Sequence, residues 1–418
     1  MSTAEIASNP LKSKWIQLVL GVICMMSISS PQYVWALFTK PIMGQLGVSL
    51  TELQVTFSIL IVLQTFFSPF QGFLVEKFGP RLLLSVGTVL TGLSWVLSAN
   101  LTTVSNLYIT YGVLGGLGTG IVYIGVVGLM VRWFPNNRGF AVGMVAAGYG
   151  IGALLTTFPI ADSLASSGLQ GTLTFFGYVI GAVGLLAAQG IRVPHADRVQ
   201  TTSQVQAAAS GIAPKTMLKT PVFWLMFLMM SMMSTSGLMV ISQMGAFAKD
   251  FGITGAMVFG MAALPLALTI DRVTNGFTRP FFGWISDRIG REYTMTIAFG
   301  LEAVAMFVWV TTRSDPVVFV LMSGVVFFGW GEIFSLFPST LTDTFGQKHA
   351  TTNYGFLYMA QGVGSIIGGP IAAYIHGATE SWMPVFAIMI ALDATAAILA
   401  FFVLRPMRAK YIQSAVYS

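Results

Sequence analysis

Twelve stretches of mostly apolar residues, separated only by short charged or turn-rich breaks, run through the 418 residues of the chain. A helix needs about 20 such residues to cross a hydrocarbon core about 30 Å thick. Spans 1 to 12 are expected at 15–38, 52–75, 82–101, 106–131, 139–160, 171–191, 221–247, 256–284, 293–312, 317–341, 352–375 and 382–404. Only 9% of the residues are charged and 55% are hydrophobic, so the chain lacks the polar surface to cover itself in water. An all-α membrane protein is expected. Span 1 is too long and too rich in Gln, Tyr and Trp for the apolar core of a secretory leader, and it is expected to stay as a helix.

The basic residues set orientation. Lys12, Lys14, Lys77, Arg81, Arg132, Arg138, Arg192, Arg198, Lys215, Lys219, Arg288, Arg291, Lys348, Arg405, Arg408 and Lys410 fall on one side, and Lys40, Lys249 and Arg313 on the other. The basic side faces the cytoplasm, so both termini are expected there, with a bacterial cytoplasmic membrane as the setting. The net charge of +6 is then a topological signal, and no nucleic-acid partner is expected. Residues 193–220 are polar, rich in Ala, Ser and Gln, and read as a cytoplasmic linker between six-helix halves at 1–192 and 221–418. One cysteine, Cys24, and three scattered histidines, His195, His349 and His376, leave no expected metal site.

The two halves repeat. Gly72-Phe-Leu-Val-Glu76-Lys77-Phe-Gly79-Pro80-Arg81 recurs as Gly283-Trp-Ile-Ser-Asp287-Arg288-Ile-Gly290-Arg291, an offset of 211. That offset also aligns Gln32 with Gln243 and Gln64-x-x-x-Ser68-Pro69 with Asn275-x-x-x-Arg279-Pro280, and an offset of 212 aligns Gly143 and Tyr149-Gly150-x-Gly152 with Gly355 and Gln361-Gly362-x-Gly364. A duplicated six-helix unit with its site at mid-membrane is a transporter plan.

A duplicated twelve-helix chain with G-x-x-x-[DE]-[KR]-x-G in both the 2–3 and 8–9 loops resembles the major facilitator superfamily, with two pseudo-symmetric six-helix bundles. Arg132-Trp133-Phe134-Pro135-x-x-Arg138-Gly139, Ala146-Ala147-Gly148-Tyr149-Gly150, Asn275-x-x-x-Arg279-Pro280, Leu336-Phe337-Pro338-Ser339-Thr340 and Asn353-Tyr354-Gly355 resemble the oxalate/formate antiporter family and, more loosely, the monocarboxylate transporters. The resemblance implies that Gly72, Glu76, Lys77, Arg81, Gly283, Asp287, Arg288 and Arg291 form a cytoplasmic gate holding the two halves together; a solvated turn is the plainer reading. The glycines of spans 4 and 11 read as packing devices.

Asp271, Arg272, Arg279, Glu302, Glu332 and Asp393 fall inside expected spans. Each costs about 2.5–3.5 kcal/mol at a helix centre, so a paired or functional role is the default. Arg272 and Arg279 are seven apart and differ by about 20° around the helix, with Asn275 on the same side. Arg279 lies about 12 Å inward from Asp287, near mid-membrane, where a guanidinium fork matches a carboxylate. The resemblance likewise makes the Arg of Asn-x-x-x-Arg-Pro the anion-binding arginine. Arg272 is expected to pair across to another helix, with Glu332 as the partner that the resemblance implies, or to supply a second cation. The resemblance also places spans 9 and 12 outside the cavity, so Glu302 and Asp393 read as structural.

The resemblance also implies a substrate lining of Gln32, Tyr33, Tyr123, Tyr149, Trp330 and Phe334, with helix packing as the alternative for each. It departs from the family at Gln361, where oxalate carriers of this type have a lysine, and at Phe334, where they have a tyrosine. One fixed cation favours a monocarboxylate. An empty carrier must neutralise Arg279, and a carboxylate that takes up a proton when substrate arrives would do so; Asp271 and Glu332 are the candidates. The expected function is a proton-coupled monocarboxylate symporter working by alternating access, with carboxylate exchange as the alternative and a non-transporting sensor behind it. The partners are a small carboxylate, protons and the lipid bilayer, the protein acting as a monomer without a cofactor. No nucleotide loop or zinc-protease motif is present, so no enzyme is expected.

Overall fold

The computed structural model describes residues 13–194, 211–253 and 255–416. Lys12, His195, Arg198 and most of the expected linker, 195–210, lie outside the described residues. Among the described residues the regular structure is helical apart from a hairpin pairing Met257–Val258 with Met261–Ala262.

Span 1 is Lys14–Ser27, continued by Ser30–Tyr33 and Trp35–Leu46; span 2 is Leu50–Thr65 and Ser68–Phe78; span 3 is Pro80–Ser98. Span 4 runs Val104–Trp133 and is wound as a π-helix over Tyr108–Leu114. Spans 5 and 6 share the continuous stretch Arg138–Gly190, parted at Gly168, whose φ of 68° and ψ of −176° are non-helical. Span 7 is Pro221–Asp250, span 8 Ala263–Ile289, span 9 Arg291–Thr311, and span 10 Pro316–Trp330 with Ile333–Phe345. Span 11 runs Ala350–Ile366, Ile367–Ile371 and Ala372–Thr379, and span 12 Met383–Leu399, Ala400–Leu404 and Arg405–Val416. Nine described helices, or ten with the bent pair in span 2, are long and apolar enough to cross a membrane. Gly168 divides one of these in two, and span 8 is less apolar than the others, with Asp271, Arg272, Asn275, Arg279, Asp287 and Arg288 along its length.

Several expected spans are therefore not single straight helices. Span 8 begins at Ala263 and not at 256, because Phe259 (φ 51°) and Gly260 (φ 78°) make a tight turn there that pairs the flanking residues as a hairpin. Spans 1 and 2 break ahead of Pro31 and Pro69, since proline lacks the N–H and clashes with the preceding turn; the bend in span 2 is 50°. Span 10 breaks at Gly331-Glu332. Thr278 donates to the Phe328 carbonyl at 2.5 Å, the acceptor that residue 332 would use in an unbroken helix.

Two compact units emerge. Unit 1 comprises 1–135, 144–201 and 349–359, and unit 2 comprises 136–143, 202–348 and 360–418. In unit 1, spans 3 and 6 touch backbone to backbone at Gly92, where a Cβ would stand 2.7 Å from the Gly177 carbonyl oxygen; such small-residue contacts replace the hydrophobic drive that lipid does not supply. Phe38 packs edge-on against Trp95 and Trp35 against Tyr111. In unit 2, Phe247 is surrounded by Trp309, Phe319, Trp382 and Phe386.

Candidate functional site

Arg279 sits in the middle of span 8 with only 3% of its surface exposed. Its Nε and Nη2 both donate to Asn275 Oδ1, at 3.1 and 2.8 Å, and the Phe334 ring lies 4.6 Å from the guanidinium carbon. The i, i+4 spacing puts Asn275 and Arg279 on one helix face, and a stacked, hydrogen-bonded guanidinium keeps a fixed plane. Phe334 is held in turn by the edge of Trp330, whose Nε1 donates to the Met233 carbonyl at 2.8 Å. Gly237 lies flat against the indole, with no room there for a Cβ. Gln361 is half-buried, and its Oε1 has no partner among the described residues.

Unit 1 holds a cluster of tyrosines. Tyr149 donates to Gln32 Oε1 at 2.6 Å and meets the edges of Tyr33 and Tyr123. Tyr123 stacks on Tyr358, centroids 4.9 Å apart, and Tyr358 touches Tyr354. Gln64 Nε2 lies 3.3 Å from the Tyr149 hydroxyl and 3.5 Å from that of Tyr358, while Gln64 Oε1 is buried without a partner among the described residues. The four sequence-expected residues Gln32, Tyr33, Tyr123 and Tyr149 are thus neighbours. Gln64, Tyr354 and Tyr358 join them unexpectedly, although Gln64 had been marked by the repeat and Tyr354 by the Asn-Tyr-Gly string.

The duplicated loop motif performs the same task twice. Glu76 accepts from Thr352 N (2.9 Å) and Thr352 Oγ1 (2.7 Å) at the start of span 11. Asp287 accepts from Gly139 N (3.0 Å) and Phe140 N (2.9 Å) at the start of span 5. Each carboxylate caps a helix N-terminus, where backbone donors and the helix dipole favour a negative charge. Gly72 and Gly283 make this possible: at Gly72 a Cβ would stand 2.7 Å from the Thr351 carbonyl oxygen, and at Gly283 it would collide with Gly139. In unit 2 the cap extends into an ion network, Asp287 to Arg291 (2.7 Å), Arg291 to Asp343 (2.8 Å) and Asp343 to Arg138. The outer motif cations do not join it. Lys77 lies over Phe73 and Phe78, Arg288 over Trp284, and Arg81 donates to Gln189. Asp343 was missed because it lies two residues past the expected end of span 10; the repeat offset, which sets it against Arg132, was the available signal.

The remaining intramembrane ions sort differently from expectation. Arg272 is exposed and makes no ion pair among the described residues, so the expected Arg272–Glu332 pair is absent. Seven residues bring Arg272 to the same face as Arg279 but two turns further along, where the buried positions of span 8 are Asp271, Ala267 and Ala263 instead. Glu332 is fully buried at the break in span 10, within electrostatic reach of Arg279 and Asp393. Asp271 is buried, with Ser323 and Arg272 as its polar surroundings. Glu302 and Asp393, read from the sequence as structural, meet at Ser236.

Twelve spans with a buried, oriented arginine and buried carboxylates among their mostly apolar residues define a polytopic membrane protein. The profile of the Major Facilitator Superfamily matches residues 18–270 and 229–415. The oxalate:formate antiporter of Oxalobacter formigenes is 34% identical over 398 residues, covering 95% of this chain and 93% of that one. Monocarboxylate transporter 13 of Bos taurus is 22% identical, covering 79% and 75% of the two chains. The solved structure of the proton:xylose symporter XylE superposes with a TM-score of 0.75 at 15% identity, over 94% of this chain and 96% of that one. The chain belongs to the major facilitator superfamily, and within it to the family of the oxalate:formate antiporter, with that superfamily's fold of twelve helices in two six-helix bundles.

Proposed function

We propose that this protein is a secondary active transporter of small organic anions, a proton-coupled monocarboxylate symporter working by alternating access. The observation that carries the proposal is Arg279: nine-tenths buried in a membrane span, its plane fixed by Asn275 and Phe334. A fork held in this way is prepared for a carboxylate before the substrate arrives. Gln32, Tyr33, Tyr123, Tyr149, Trp330 and Gln361 are the proposed groups for the rest of the ligand. Glu332 and Asp271 are proposed to exchange the coupling proton, with Arg272 in gating, and Glu76, Asp287 and Arg291 to latch the cytoplasmic ends of spans 11 and 5. The halves 1–192 and 221–418 are the proposed moving bodies, acting in one chain with both termini cytoplasmic, in a bacterial cytoplasmic membrane; the basic bias of the loops supports that orientation.

Exchange is the alternative that one observation favours, since the relative at 34% identity is an oxalate:formate antiporter. A competition panel of formate, acetate, lactate, pyruvate and oxalate at two pH values separates the two. Symport requires that an inward proton gradient drive accumulation, and the one-cation site requires that oxalate compete poorly. Gln361→Lys, by supplying a second fixed cation, should improve oxalate competition by about tenfold, the value of one charge-assisted hydrogen bond. Gradient-insensitive uptake that needs internal anion would establish exchange, and strong oxalate binding by the native chain would refute the one-cation site.

A further inference from the structure

Glu302 of span 9, Asp393 of span 12 and Ser236 of span 7 meet in the interior of unit 2, and all three have no exposed surface. Ser236 Oγ lies 2.8 Å from Asp393 Oδ2 and 3.4 Å from Glu302 Oε1. The site is tight: a Cβ at Gly329 of span 10 would stand 2.9 Å from the Glu302 nitrogen and Cβ. A hydroxyl has one hydrogen to give. Donated to Asp393, it leaves Glu302 facing a lone pair, and that contact becomes a hydrogen bond only if the Glu302 carboxyl brings a proton of its own.

A second observation points to the same ligand. Glu302 Oε2, Asp393 Oδ1 and both oxygens of Glu332 are buried without partners among the described residues, and Glu332 stands within electrostatic reach of both members of the pair. The charged groups facing the pair are Glu332 from the break in span 10 and, beyond it, Arg279 of span 8 facing Glu332; spans 7, 9 and 12 contribute only Ser236, Glu302 and Asp393. No group of three or more candidate ligands for a metal ion occurs among the described residues. Three buried acids with one nearby hydroxyl donor hold more acceptor sites than hydrogens, and the ligand that fits such a set is a proton.

We propose that Glu302, Ser236 and Asp393 form a proton-binding site, with one proton held between the two carboxyl groups through the Ser236 hydroxyl and exchanged with Glu332 next to the arginine. In the loaded state Glu302 Oε1–H donates to Ser236 Oγ, and Ser236 Oγ–H donates to Asp393 Oδ2. Release hands that proton to Glu332, and no other bond changes. The exchange with Glu332 rests on the proton-coupled reading above, whereas the binding site itself does not.

Infrared difference spectra of the full chain in liposomes, in light and heavy water, read the site directly. The native chain should show a protonated-carboxyl band that shifts on deuteration, moves in Ser236→Ala and disappears in Glu302→Gln/Asp393→Asn, with thermal unfolding of each variant as the folding control. In Asp393→Asn, accumulation driven by a proton gradient should fall about tenfold, a coupling of ordinary size. A native spectrum without the band, a band unchanged in the double variant, or full coupling in Asp393→Asn overturns the proposal. A native chain with the band but no gradient-driven accumulation overturns the symport reading and leaves the site standing.

Discussion

Replacing Arg279 by alanine should weaken binding of any small carboxylate by at least about 100-fold, because two charge-assisted hydrogen bonds of about 1.5–3 kcal/mol each are lost. Asn275 and Phe334 would be left around a space with no cation. Arg279→Lys keeps the charge but loses the fork and the flat face that lies on Phe334, and should recover only part of the affinity. Asn275→Ala leaves the guanidinium in place but frees its Nε and Nη2, so its effect should be intermediate. Equilibrium binding of a labelled carboxylate to purified protein, with thermal unfolding measured in parallel, gives the ranking. Wild-type affinity in Arg279→Ala would remove the basis of the proposed function.

The second large effect is expected at Asp343. Its carboxylate answers Arg138 and Arg291 together, and the Arg291 guanidinium is shared with Asp287 and Ser286. Asp343→Asn removes the negative charge that the buried guanidinium groups of Arg138 and Arg291 share, and breaking such a buried network typically costs about 3–5 kcal/mol. The melting temperature in detergent should drop by several degrees. Glu76→Gln, which keeps the shape of a cap and removes its charge, should cost about 1 kcal/mol. Equal melting temperatures for the Asp343→Asn variant and the native chain would show that the network does not hold unit 2 together.

Much of the fold is legible in the sequence because a bilayer imposes a length and an apolarity that composition alone reveals. The repeat is legible too. Glu76 and Asp287, aligned by an offset of 211, cap helices through residues also related by the repeat, Thr352 and Phe140. Helical periodicity placed Arg279 beside Asn275, since four residues fix a shared face. What periodicity cannot give is the partner across a helix pair. Ser236 meets Glu302 and Asp393 from 66 and 157 residues away, and Gln64 meets Tyr358 from 294 residues away. The turn before span 8 and the break in span 10 were equally hidden. The first depends on backbone torsions at Phe259 and Gly260, the second on a side-chain hydrogen bond from Thr278. Arg272 misled because a face that is buried at Arg279 need not stay buried two turns further along, where Ala263, Ala267 and Asp271 take the buried positions.

Counterflow in proteoliposomes tests most directly whether this chain carries small carboxylates on Arg279. Liposomes loaded with unlabelled monocarboxylate should take up the labelled acid transiently and saturably through the native protein, and Arg279→Ala should abolish the overshoot. Saturable counterflow that survives Arg279→Ala, or a native chain that exchanges no small carboxylate at all, would contradict the account.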